Sequence, residues 1–179
     1  MKYPELIFLW GMPGSGKSTL GKKLANHLSY SWIDTDVSIE KSEGKTIEQI
    51  FNEEGEEKFR TLEENCLDEL LSLKQTVISC GGGFPVFNNN ATKMLEAGFC
   101  IYLDANLELL CQRILEGKDQ RPLFSGVNLE KINDNLRNLF QKRQFFYELA
   151  HCKIKIPVKS SKAFILQVLE GFASKENNS

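Results

Sequence analysis

Gly11-Met12-Pro13-Gly14-Ser15-Gly16-Lys17-Ser18-Thr19 meets the pattern G-x-x-x-x-G-K-[ST] at every fixed position and follows directly on the apolar run Leu6-Ile7-Phe8-Leu9-Trp10. After it, Leu20, Leu24 and Leu28 recur at helical spacing, so strand, glycine loop and helix stand in the order a phosphate-binding loop requires. Gly11, Gly14 and Gly16 let the backbone turn tightly with its N–H groups inward. Those donors and the helix N-terminus present partial positive charge to a phosphate chain. Lys17 is then placed for the outer phosphates and the Ser18 hydroxyl for Mg²⁺. The plain alternative, a glycine-rich turn that binds nothing, explains neither flank.

Working outward, strand-like and helix-like segments alternate, which implies an α/β fold with a parallel sheet covered by helices. Strands are expected at Leu6–Trp10, Ser31–Asp34, Thr76–Ser79, Phe99–Leu103 and Cys152–Ile156. Helices are expected at Lys17–Leu28, Thr46–Phe51, Glu56–Leu73, Asn89–Ala97, Asn106–Leu115, Leu129–Ala150 and Ser161–Ala173, with Thr46-Ile47-Glu48-Gln49 at capping-box spacing. No internal repeat interrupts this order. Two excursions exceed simple crossovers: the short helices between the second and third strands, and the polar stretch from Glu116 to Asn128. Both are expected to overhang the carboxyl ends of the strands, where open parallel sheets bind ligands.

Composition narrows the class. The 179 residues suit one domain, and the net charge of −2, with 22 basic residues interspersed among 24 acidic ones, gives no reason to expect a nucleic-acid partner. Cys66, Cys80, Cys100, Cys111 and Cys152 are odd in number and form no C-x-x-C pair, so they are expected as reduced core thiols. The apolar N-terminal run is too short to span a membrane, and the residues before it are too few for a transit peptide. A cytoplasmic enzyme is the expectation.

Asp34-Thr35-Asp36 ends the second strand, and in an extended chain both carboxylates project to one side, beside the phosphate loop. One acid near Mg²⁺ and another near an incoming hydroxyl would divide the work; a turn or N-cap cluster is the alternative. No Asp ends the third strand, so Asp34 is the expected metal-side acid. Arg60, Arg113, Arg121, Arg137 and Arg143 are the only arginines among the 22 basic residues, which suggests placement where a planar bidentate donor matters. Ile132, Leu136, Leu139 and Arg143 share one helix face, so a guanidinium falls on a buried stripe and requires an anion from protein or ligand. For Arg60 and Glu63 the alternative is a surface pair, and for Arg113 and Arg121 a solvated charge. Gly81-Gly82-Gly83 brings bare backbone to the crevice edge after the third strand.

The ordered set of Gly11–Thr19, Asp34-Thr35-Asp36, Gly55, Phe59-Arg60, Glu63, the triple glycine, Arg121-Pro122-Leu123, and Arg143 with Tyr147 resembles the shikimate kinase family over nearly the whole chain. The resemblance implies a three-layer P-loop kinase fold: a five-stranded parallel sheet flanked by helices, with a small substrate-binding domain and a lid. It divides the single domain into a core at 1–33, 64–115 and 128–174, a substrate-binding part at about 34–63 and a lid at about 116–127. The implied reaction moves the γ-phosphoryl of ATP to the 3-hydroxyl of shikimate, with Mg²⁺.

By that resemblance ATP lies against Gly14, Ser15, Gly16, Lys17, Ser18, Thr19, Arg113 and Arg121, with Arg113 at the adenine and Arg121 arriving with the lid. Asp36 binds the shikimate hydroxyls and serves as base. Arg60 and Arg143 clamp the carboxylate, Glu63 orients Arg60, and Gly81, Gly82 and Gly83 join the pocket, Gly82 most directly. Phe51 and Phe59 wall the ring, while Ser18 and Asp34 hold the metal. The expected partners are ATP and shikimate, with no nucleic acid or membrane, and a monomeric chain. Gluconate kinase, nucleoside monophosphate kinase and a catalytically silent nucleotide-binding module are the competing readings.

Overall fold

The apolar run Leu6–Trp10 is β1, buried along its whole length because it is the middle strand of a five-stranded sheet ordered β2-β3-β1-β4-β5. In this computed structural model, which describes residues 3–116 and 129–176, the other strands are β2 (Ser31–Asp34), β3 (Thr76–Ser79), β4 (Phe99–Ala105) and β5 (Cys152–Ile156). All pairings are parallel, with Leu6 opposite Thr76 and Ile7 opposite Phe99. A central strand covered on both faces must be apolar throughout, which is why it does not alternate. Strand order reverses about β1, so its carboxyl end opens at the crevice where such sheets bind ligands.

The flanking helices are α1 (Lys17–Leu28), α2 (Thr35–Glu43), α3 (Ile47–Leu70), α4 (Asn90–Ala97), α5 (Leu107–Leu115), α6 (Leu129–Tyr147) and α7 (Ser161–Glu176). Helix α1 lies tight on the sheet through Leu20, Gly21, Leu24 and Ala25. A Cβ on Gly21 would come within 2.9 Å of Leu9 and of the Trp32 indole nitrogen. Thr46 and Gln49 form the expected capping box at the start of α3. Gly55, at φ 84° and ψ 174°, breaks α3 into the two segments that the sequence implies, although the second ends at Leu70 rather than Leu73.

One local expectation is overturned. The chain is not extended through Asp34-Thr35-Asp36; Asp34 caps α2, its carboxylate accepting the Asp36 N–H at 3.1 Å. The signals were an N-cap acid, a second acid in the first turn and Gly44 just past the end, a set that favours a short helix over a continued strand. The lid expected at about 116–127, Arg121 included, lies outside the described residues from residue 117 on. Among the described residues no helix is long and apolar enough to cross a membrane, and all five cysteines are free.

Candidate active site

The end of β1 delivers the chain into the glycine loop with Gly11, Gly14 and Gly16 all at positive φ. At Gly11 a side chain is also excluded by space, because its Cβ would lie 2.8 Å from the Leu103 carbonyl. Lys17 is buried, and its Nζ donates to the carbonyls of Gly11 and Met12 at 3.0 Å each. The Ser15 hydroxyl is fully buried and has no hydrogen-bond partner among the described residues, an orphaned polar atom inside the loop. A phosphate oxygen would relieve it. From α5, Arg113 donates through Nη1 to the Gly14 carbonyl at 2.8 Å, so its guanidinium is anchored at the loop rather than solvated.

Two acids leave the end of β2 for different surroundings. The Ser18 hydroxyl donates to Asp34 Oδ2 at 2.6 Å, placing two hard oxygen donors together at the loop. That pair fits Mg²⁺, which takes one or two protein oxygens and completes its shell with phosphate and water. Asp36, two residues on, instead turns toward Gly81, where its carboxylate occupies the space a Cβ would need. Because α2 begins between them, the acids separate, one to the loop and one to the neighbouring cleft. The N-cap role and a site role are therefore not alternatives for Asp34.

The triple glycine organises the cleft. A Cβ on Gly82 would lie 2.8 Å from Arg143 Nη1, and one on Gly83 would lie 2.8 Å from Arg60 Nη1. None of the three adopts a positive φ, so the triplet supplies space rather than unusual dihedrals. Each glycine therefore admits one side chain, from α2, α6 and α3 respectively.

Arg143 is 8% exposed, on the stripe that includes buried Ile132 and Leu136. Arg60 stacks 3.8 Å from the Phe87 ring centroid. Its Nη1 donates to Glu63 at 2.6 Å and its Nη2 to Glu56 at 2.7 Å. Glu63 is 1% exposed, so this is not the surface pair that helix spacing alone permits. Burial drives the Glu63 carboxyl up to about 7, the Arg60 guanidinium opposes that rise, Asp36 adds to it and Arg143 opposes it.

These groups line a cavity of about 520 Å³ shared by Asp34, Asp36, Arg60, Glu63, Gly81, Gly82, Gly83 and Arg143, with Phe51 and Phe59 on its wall, their ring centroids 4.7 Å apart. Its size suits a small molecule. Sequence reading did not single out Val37, Glu40 or Asn52, which also line it. Glu40 accepts the Ile47 N–H at 2.9 Å, a long-range cap with no local sequence signal. Val37 is 57% exposed at the cavity, and only the unexpected helix α2 puts it there.

The family model described as shikimate kinase matches residues 13–172. A shikimate kinase of Persephonella marina is 41% identical over 91% of this chain and 96% of its own length. A solved shikimate kinase from Acinetobacter baumannii in complex with shikimate superposes with a TM-score of 0.85 at 35% identity, covering 96% of this chain and 94% of that one. A gluconokinase from Sinorhizobium meliloti superposes with a TM-score of 0.59 at 17% identity over 99% of this chain and 97% of that one, a likeness of fold alone.

Proposed function

The chain belongs to the shikimate kinase family, and we infer from that premise and from the cleft how it transfers the γ-phosphoryl of ATP to the 3-hydroxyl of shikimate, giving shikimate 3-phosphate and ADP. The observation that carries the reading is the convergence of Asp36, Arg60 and Arg143 on one cavity through the triple glycine, beside the Lys17 loop. A nucleotide binder alone needs neither the second acid nor two guanidinium groups outside its phosphate loop.

ATP is held by the amides from Gly14 to Thr19, with Lys17 exchanging its loop carbonyls for the outer phosphates. Arg113, already fixed at Gly14, borders the nucleotide on the adenine side. Arg121 completes the charge stabilisation from the lid, a role it takes from its sequence motif. Ser18 and Asp34 would hold Mg²⁺, which would supply neutralisation of phosphate charge. The acceptor carboxylate pairs with Arg60 and Arg143, while Phe51 and Phe59 cover the apolar faces of the ring. Asp36 then orients the acceptor oxygen for in-line attack and receives its proton. Water competes as acceptor, so closure over both substrates must exclude it before transfer.

Five free thiols suit the cytoplasm. A coupled assay of ADP release across shikimate, gluconate and nucleoside monophosphates tests the reading. Release with shikimate alone is expected. Release with another acceptor would replace the substrate, and no release with any would leave a nucleotide-binding module.

A further inference from the structure

The triple glycine is gripped by two hydroxyls to which the roles above give no task. Thr35 is fully buried, and its Oγ1 accepts the Gly81 N–H at 2.8 Å. Tyr147 is fully buried as well, and its hydroxyl donates to the Gly82 carbonyl at 2.6 Å. The Gly81 carbonyl accepts from Phe84 N–H at 3.0 Å and the Gly83 carbonyl from Val86 N–H at 2.9 Å. All three carbonyls of the triplet are thus engaged, and its place is determined from several sides at once.

The two hydroxyls are matched to the functional side chains. Thr35 immediately precedes Asp36, the residue whose carboxylate fills the space over Gly81. Tyr147 lies one helical turn beyond Arg143, the residue that lies over Gly82. Helices α2 and α6, which carry Asp36 against Gly81 and Arg143 against Gly82, therefore each also bond that same glycine's backbone. Tyr147 is stacked in turn on Tyr102 of β4, with ring centroids 5.2 Å apart, so the grip is referred to the sheet.

We propose that Thr35 and Tyr147 are positioning residues for the phosphoryl transfer, which hold Asp36 and Arg143 in register with one another through Gly81 and Gly82. The inference rests on the reading of this cleft as the shikimate site. Removing either hydroxyl leaves a buried backbone group without its partner, and the triplet must shift to recover one. The shift moves the hydroxyl grip relative to the carboxylate grip, and a loss of alignment of this kind weakens acceptor binding and turnover without touching the nucleotide loop.

The test compares Thr35→Val, Thr35→Ser and Tyr147→Phe with the wild type in steady-state kinetics, varying ATP and shikimate separately, together with ADP titration and melting curves. Val and Phe keep the shape and lose only the hydroxyl. Thr35→Val and Tyr147→Phe are each expected to raise the KM for shikimate about tenfold, with the KM for ATP and the ADP affinity within about twofold of wild type. Thr35→Ser, which keeps the oxygen, is expected to recover most of the loss. A merely structural role would lower the melting temperature and impair both substrates alike, and that outcome overturns the proposal. So does a wild-type shikimate KM in both hydroxyl-deleted variants. A wild type that binds ADP yet does not phosphorylate shikimate would overturn the functional reading and this inference with it.

Discussion

Nη1 of Arg60 lies 2.6 Å from the carboxylate of Glu63, a residue only 1% exposed to solvent. The carboxyl sits at about 7, against an ordinary value of 4.5, because burial outweighs the attraction of Arg60. The folded state therefore binds this proton more tightly than the unfolded state does. Its contribution to stability is fully present below about pH 4.5 and is lost as pH rises through about 7. Between pH 5 and 8 the wild type is expected to lose stability relative to Glu63→Gln by on the order of 2 kcal/mol. Urea midpoints of both proteins across that range check it, and parallel profiles would contradict the assignment.

Asp36 faces the cleft while Asp34 bonds Ser18, so the two acids separate by function. Asp36→Asn is expected to reduce kcat by about 10²–10⁴-fold, the range for a positioned proton acceptor. Nucleotide affinity should stay within about twofold, since the loop contacts are untouched. ADP titration beside the turnover assay reads both quantities. Full turnover in this variant would remove Asp36 from the chemistry.

Arg143 is buried at the end of an apolar stripe, where a guanidinium requires an anion from protein or ligand. Arg143→Ala is expected to weaken shikimate binding by about 2–5 kcal/mol, and Arg143→Lys to recover little, because a point charge does not reproduce the planar fork. Calorimetric titration of shikimate into each variant measures this. Unchanged affinity in Arg143→Ala would exclude a carboxylate contact.

Gly83 offers a substitution that should damage the site and spare the fold. An added methyl would lie 2.8 Å from Arg60 Nη1, the movable end of a long side chain, with no backbone atom among its nearest neighbours. Gly83→Ala is expected to change the melting temperature by less than about 4 °C, the equivalent of under ~1 kcal/mol. Shikimate affinity should nevertheless fall by about 1–2 kcal/mol as Arg60 is displaced. Equal losses of stability and affinity would show that the triplet's third position serves the fold instead.

Ser18 and Asp34 share a hydrogen bond of 2.6 Å at the loop. Asp34→Asn keeps a good N-cap for α2, so it should leave the helix intact. It is expected to raise the Mg²⁺ concentration for half-maximal activity by about tenfold, as befits loss of a metal-orienting carboxylate. Activity titrated against Mg²⁺ at saturating ATP decides this, and an unchanged midpoint would assign the metal to other donors.

How much of this was legible in the chain follows from the range of the forces involved. The phosphate loop was readable because strand, glycines, lysine and helix are contiguous and each is dictated by local backbone chemistry. The sheet was readable because buried parallel strands leave continuous apolar runs such as Leu6–Trp10 and Phe99–Leu103. Arg143 could be placed on a buried stripe from helical spacing alone. The capping box at Thr46 is local too, and it formed as expected.

Helix α2 does not follow from an extended reading of Asp34-Thr35-Asp36, although Asp34, Asp36 and Gly44 mark its ends, because an alternating pattern after a strand is equally compatible with a continued strand. What only the tertiary structure decided is where the separated pieces meet. No local rule ties Gly81 to Asp36, Gly82 to Arg143 and Gly83 to Arg60, since these pairs are joined by packing of α2, α6 and α3 about the end of β3. Burial likewise turned Arg60 and Glu63 from a pair any exposed helix could carry into part of the cleft with its carboxyl pushed up to about 7, because desolvation depends on everything folded around a residue and not on its neighbours in the chain.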